Sequence, residues 1–119
     1  MARILLADDD ASTRDLVRRA LEADGHSVHI TQDGSEALEC VEGGGQKFDV
    51  LVSDVEMPLL DGIALAQRAL KQQSLRVLLM SGFAEQLERA KSLEGAQLAV
   101  LSKPFSLEAV RASVRRLLG

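Results

Sequence analysis

Five short apolar runs place the tightest limit on what this chain can fold into. They are Ile4 to Ala7, Val28 to Ile30, Val50 to Val52, Val77 to Met80 and Leu98 to Leu101. Most contain no polar residue. A strand with one wet face alternates apolar and polar side chains, so unbroken runs of this length fit strands covered on both faces, as in a parallel sheet. Between the runs, apolar residues recur three and four apart, which is the helical period. One such stripe is Leu16, Val17, Ala20 and Leu21, another is Ile63, Ala66 and Leu70, and the cleanest is Leu107, Val110, Val114 and Leu117. A weaker stripe of Leu87, Ala90 and Leu93 predicts a helix over Glu85 to Glu94, while Gly25, Gly43-Gly44-Gly45 and Gly95 punctuate the returns. Successive β-α units of this kind predict an α/β fold: a doubly wound, open parallel sheet with helices on both faces. The 119 residues suffice for one core and not for two, so a single domain over residues 1–119, with no effector domain, is expected.

In such sheets, ligands bind outside the carboxyl ends of the strands, where strand order reverses. The first run ends in Asp8-Asp9-Asp10, the third in Ser53-Asp54 and the fourth in Ser81, while the fifth leads into Ser102-Lys103-Pro104. With strand order 2-1-3-4-5, the first and third strands are neighbours about 5 Å apart, so their carboxylates can share one metal ion. A short hydroxyl suffices on the fourth strand. The fifth lies roughly 10 Å from the third, and only a long side chain reaches back. Lysine stands there, so side-chain length matches strand distance.

The charges agree with a metal site. Asp8, Asp9 and Asp54 with Lys103 sum formally to −2. Such a cluster is costly unless a cation joins it or a carboxylate takes up a proton. Mg²⁺ would neutralise it, and favours a few carboxylates together with water and phosphate oxygens. Carboxylates, Mg²⁺, a hydroxyl and a lysine suit phosphoryl transfer with an aspartate as covalent acceptor.

Other classes fit less well. Fourteen basic against eighteen acidic residues give a net charge of −4, which argues against a broad nucleic-acid surface. No apolar stretch approaches a membrane span. The start, MARILLADDD, has too few apolar residues before its charges for a secretory signal. The one cysteine, Cys40, cannot form an internal disulfide, which fits a reducing, cytoplasmic setting. Gly43-Gly44-Gly45 lacks the Gly-Lys-Ser/Thr of a phosphate loop and reads as a return.

The stretches LLADD, SDVEMPLLDG, LLMSGFAE and VLSKPF, in this order and spacing, resemble the receiver domain of two-component response regulators, the CheY-like family with a flavodoxin-like fold. The resemblance covers the whole chain. It implies that Asp54 accepts a phosphoryl group from a histidine kinase or histidine phosphotransferase. Asp9 would ligate Mg²⁺ directly and Asp8 mainly through water, with Asp54 and the Glu56 carbonyl completing the set. Ser81 and Lys103 would each bond a phosphoryl oxygen, and the Lys103–Pro104 bond is expected to be cis. Gly62 would allow the turn into the next helix. The family performs its own phosphorylation and dephosphorylation and is otherwise not an enzyme. Its output is a protein target bound through the fourth helix, fifth strand and fifth helix. Among receivers, SGFA with VLSKPF most resembles the stand-alone CpdR-type regulators of alphaproteobacteria, and receivers at the ends of hybrid kinases share these features.

Two departures bear on the switch. Val100 stands where the family often has an aromatic ring that turns inward. Phe83 follows Ser81 by two residues, where many relatives carry a smaller or polar side chain, so the switch is expected to involve Ser81 and Phe83 in the part Val100 cannot play. Glu56 is expected to compete with Asp54 for Lys103 in the metal-free protein. Asp10 reads as a bystander near a helix capped by Ser12 or Thr13, His26 and His29 as surface residues without ligand-spaced company, and Cys40 as a packing residue. Arg111, Arg115 and Glu108 share a helical stripe that is either a solvated face or a partner surface. Two other functions remain open. Asp8-Asp9-Asp10-Ala11-Ser12 approaches the first motif of haloacid-dehalogenase-type phosphatases, with Asp8 as nucleophile, although only Glu108 follows the lysine where that family needs an acidic pair. A pseudo-receiver that binds partners without phosphate is the other.

Overall fold

The computed structural model of the protein describes residues 1–91, 93 and 97–119. Its elements are β1 (Arg3–Ala7), α1 (Ala11–Ala23), β2 (Ser27–Thr31), α2 (Gly34–Glu42), β3 (Val50–Asp54), α3 (Gly62–Gln72), β4 (Arg76–Ser81), α4 (Ala84–Ala90), β5 (Leu98–Ser102) and α5 (Leu107–Leu118). The strands pair in parallel in the order β2-β1-β3-β4-β5. This is the doubly wound arrangement that the alternation predicts, and it makes β1 and β3 neighbours.

Successive side chains of a strand point to opposite faces. Leu5, Leu51, Val77 and Leu79 therefore pack with α2, α3 and α4, and Ile4, Leu6, Val50, Val52, Leu78 and Met80 with α1 and α5. Both faces are apolar, which is why the central runs carry no polar residue. The edges differ. Only Thr31 of β2 is buried and no residue of β5 is. On α1, Val17, Ala20 and Leu21 face the core, and burying a side chain such as Val17 or Leu21 is worth roughly 1.5–3 kcal/mol. Leu16 and Leu107, at one end of each stripe, stay 49% and 38% exposed, and both border a groove beside Lys103.

Four of the five helices begin at a side-chain cap. Asp10 accepts from Ser12 N–H, Asp33 from Glu36, Asp61 from Ala64 and Ser106 from Ala109. Each cap satisfies a backbone donor that the helix itself leaves open and is worth ~1 kcal/mol. Asp10 is thus itself the cap of α1, where Ser12 or Thr13 was expected. The exception is α4, seven residues long, which starts at Phe83 with no side-chain cap. The helix expected over residues 85–94 is shorter than its stripe. Residues 92 and 94–96 lie outside the described residues, and with them the last part of that expectation and the return at Gly95.

Arg111 and Arg115 are tied within the chain as well as partly exposed. Arg111 Nε and Arg115 Nη1 donate to the Asp24 carboxylate at the end of α1, at 3.0 and 3.1 Å. Glu108 pairs with both arginines on its other side. The Arg111 guanidinium holds the Asp24 carboxyl below the usual carboxylate range. This clamp joins the two helices of one face.

Candidate functional site

The carboxyl ends of β1, β3, β4 and β5 meet at one edge. Asp54 is the last residue of β3 and is nearly buried, and its Oδ2 lies 3.1 Å from Lys103 Nζ. Lys103 reaches it from beyond β5, as the strand distances require, and its backbone N–H donates to Ser81 O at 2.9 Å. The Lys103–Pro104 bond is cis, as expected.

Asp8 follows β1 and is wholly buried. Asp8 Oδ1 accepts the Asp10 N–H at 2.9 Å, and Arg14 Nη1 donates to the Asp8 carbonyl at 2.8 Å. Among the described residues, Asp8 Oδ2 is buried without a hydrogen-bond partner. Asp9 is exposed, yet one carboxylate oxygen from each of Asp8, Asp9 and Asp54 lies within 4.8 Å of the others. Burial pushes the Asp8 carboxyl up to about 6, helped by the charges of Asp54 and Asp9 and opposed by the Asp10 N–H and Lys103. Burial also raises Asp54, against the pull of Lys103. A buried, orphaned oxygen beside two more carboxylates fits a hard divalent cation such as Mg²⁺, which takes oxygen ligands.

Glu56 is exposed, and among the described residues it makes no ion pair with Lys103, which is paired with Asp54. The expected competition is absent from this arrangement. Gly62 matters for space and not for turning. A Cβ there would lie 2.2 Å from the Asp54 carbonyl oxygen, and one at Gly34 would lie 2.1 Å from the Leu60 carbonyl. The loop between β3 and α3 is thus pressed against two helix starts. Its exposed Leu59 holds φ at 72°, a region that L residues rarely enter.

Ser81 is buried at the end of β4. Its hydroxyl accepts the Phe83 N–H at 3.0 Å and donates to Gln86 Oε1 at 2.5 Å. Gln86 is the residue of this neighbourhood that sequence reading passed over. Five positions after Ser81 and one turn into a weakly patterned helix, it carries no local signal of a tie to the strand end. The Phe83 ring is 49% exposed, whereas Val100 packs against the α2–α4 side of the core. Away from the site, the fold brings His29 Nε2 to 3.4 Å from Cys40 Sγ, company that the linear sequence does not reveal.

The family model described as the response regulator receiver domain matches residues 4–115. The chain belongs to this family. Response regulator MprA of Mycobacterium leprae is 38% identical to the receiver domain over 117 residues, which cover 98% of this chain and 50% of that protein. The chain spans about half the length of the curated relatives it matches. A Francisella response regulator receiver domain is 30% identical, with a TM-score of 0.84 and coverage of 98% of this chain and 96% of the other. A CheY-like receiver domain protein from Methanospirillum hungatei is 25% identical at a TM-score of 0.87, covering 99% and 94%. Among the described residues, no helix of the receiver domain is long and apolar enough to cross a membrane.

Proposed function

We propose that this receiver domain takes a phosphoryl group onto Asp54 from the phosphohistidine of a histidine kinase or phosphotransferase, and that this switches a protein-binding surface around α4, β5 and α5. The observation that carries the reading is the pairing of Asp54 Oδ2 with Lys103 Nζ at 3.1 Å, beside the orphaned oxygen of Asp8. An Asp54 oxygen forms the new P–O bond as the P–N bond of the donor breaks, and the bonding pair stays on the imidazole nitrogen. Lys103 leaves its ion pair to meet a phosphoryl oxygen, and the Ser81 hydroxyl meets another. Asp8, Asp9, Asp54 and the Glu56 carbonyl would hold Mg²⁺, which when bound neutralises charge on the phosphoryl oxygens.

The groove beside the site supports docking of the phosphodonor. It is bordered by Asp10, Thr13, Leu16, Lys103, Phe105 and Leu107 and is mainly apolar. A donor helix seated there would bring its histidine to the same edge as Asp54 and Lys103.

Incubation with Mg²⁺ and acetyl phosphate tests the reading. Acid-labile phosphorylation is expected on the wild type, is lost in Asp54→Asn and in the presence of EDTA, and persists in Asp10→Asn. Labelling that survives Asp54→Asn and vanishes in Asp8→Asn would point to the phosphatase chemistry instead. Partner binding that is indifferent to phosphorylation would point to a pseudo-receiver.

A further inference from the structure

The Ser81 hydroxyl has one proton to give. The Oγ to Gln86 Oε1 distance of 2.5 Å lies within the O–H···O range and below that of N–H···O bonds. The hydroxyl is therefore the donor and the amide oxygen the acceptor. The same Oγ accepts the Phe83 N–H at 3.0 Å, so the start of α4 is tied to the strand end through this one side chain. A phosphoryl oxygen on Asp54 would also be an acceptor and would need the same proton. Gln86 and the phosphoryl group are thus mutually exclusive partners of Ser81.

We infer that Gln86 is a latch: its amide oxygen occupies the Ser81 hydroxyl in the resting protein, and a phosphoryl group on Asp54 displaces it and releases the first turn of α4. The inference rests on the reading of Asp54 as acceptor and Ser81 as its hydrogen-bond donor. The local structure explains why release matters. With seven residues and no side-chain cap, α4 is the least self-sufficient helix, and a helix this short does not persist in water without tertiary ties. Its far end is anchored by buried Ala90. Its near end begins at half-exposed Phe83, whose carbonyl accepts the Gln86 N–H at 3.1 Å. Freeing the Gln86 side chain loosens that end and not the other, and the Phe83 ring moves with it. Gln86 is a positioning residue, acting through Ser81.

Beryllofluoride with Mg²⁺, a phosphoryl mimic, tests this by NMR titration of the whole chain. Gln86→Leu keeps bulk but has no acceptor, so the hydroxyl keeps only its long 3.5 Å contact to the Phe83 carbonyl, a much weaker bond to break. It is expected to bind beryllofluoride about threefold to tenfold more tightly than wild type. Gln86→Ala should move in the same direction. In a Ser81→Ala background, Gln86→Leu should change nothing, because the contested proton is gone. Equal affinity of Gln86→Leu and wild type would overturn the latch and leave the acceptor reading standing. The same gain in the Ser81→Ala background would also overturn it, since a merely structural effect would not depend on the hydroxyl. If the wild type bound no beryllofluoride at all, the acceptor reading would fall and the latch with it. A second readout is the Gln86 side-chain amide signal, expected to shift on activation in the wild type and to stay put in Ser81→Ala.

Discussion

Placing one methyl group on Gly62 would push directly on β3, the strand that ends in Asp54. The added Cβ of Gly62→Ala would sit 2.2 Å from the Asp54 carbonyl oxygen and must retreat by about 1.2 Å to reach the 3.4 Å of ordinary contact. The obstacle is backbone, so no rotamer change relieves it. The same movement strains the Gly62 N–H bond to Val55 O, now 2.8 Å long. Overpacking of this kind costs about 1–3 kcal/mol and a weakened hydrogen bond about 1 more, with up to about 1 kcal/mol regained from the helix propensity of alanine. A net loss of about 1–4 kcal/mol corresponds to a fall in Tm of about 5–15 °C for a chain of this size. Gly82→Ala is the control, because its nearest atom, Lys103 Cβ, is 3.9 Å away. That variant should stay within about 0.5 kcal/mol of wild type. Calorimetry of the two variants decides the stability claim, and beryllofluoride titration shows whether Asp54 has moved relative to Lys103. Equal Tm values for the two variants would refute the close-approach reasoning.

Two further outcomes follow from charge. The folded protein binds a proton at Asp8 more readily than the unfolded chain does, since burial lifts that carboxyl to about 6. Its effect on stability is therefore favourable at acid pH and is lost as pH rises from the ordinary aspartate range to about 6; in EDTA, Asp8→Asn should flatten that slope and raise stability at pH 7 by on the order of 2 kcal/mol, read by calorimetry across pH. Asp24 is shifted in the opposite sense by Arg111, so its clamp contributes above the usual carboxylate range and fades as pH falls through the lowered value. Asp24→Asn should lower Tm at pH 7, and by less as the pH falls through the acid range, read by calorimetry.

The fold was legible because its strands are covered on both sides. Residues such as Leu51 and Val52 must both be apolar, since one faces α3 and the other the opposite cluster. Strand ends then placed Asp8, Asp54, Ser81 and Lys103 together, and lysine length against strand spacing made the arrangement specific. What escaped was tertiary. Asp24 meets Arg111 and Arg115 across 87 and 91 positions, with no periodicity to announce it. His29 and Cys40 are neighbours only once β2 and α2 pack. Gly62 looks like a turn residue until the Asp54 carbonyl is seen against it. Gln86 lies in the helix with the faintest stripe, where the governing contact is a side chain on a strand.

The alternation of β3 side chains would also separate the two encounters proposed for this chain. The groove between α1 and the start of α5 is on one face of the sheet, and α4 is on the other. They come together only along the edge that carries Asp54. A sender resting in the groove and a recipient resting on the α4 part of the proposed surface would meet only where that surface reaches the start of α5, at Leu107 beside the groove. Substitutions that retune one of these encounters should add to those that retune the other with little interaction between them, because a packed sheet stands in between. Selection could then change whom the protein listens to without changing whom it addresses, provided the shared edge is left intact.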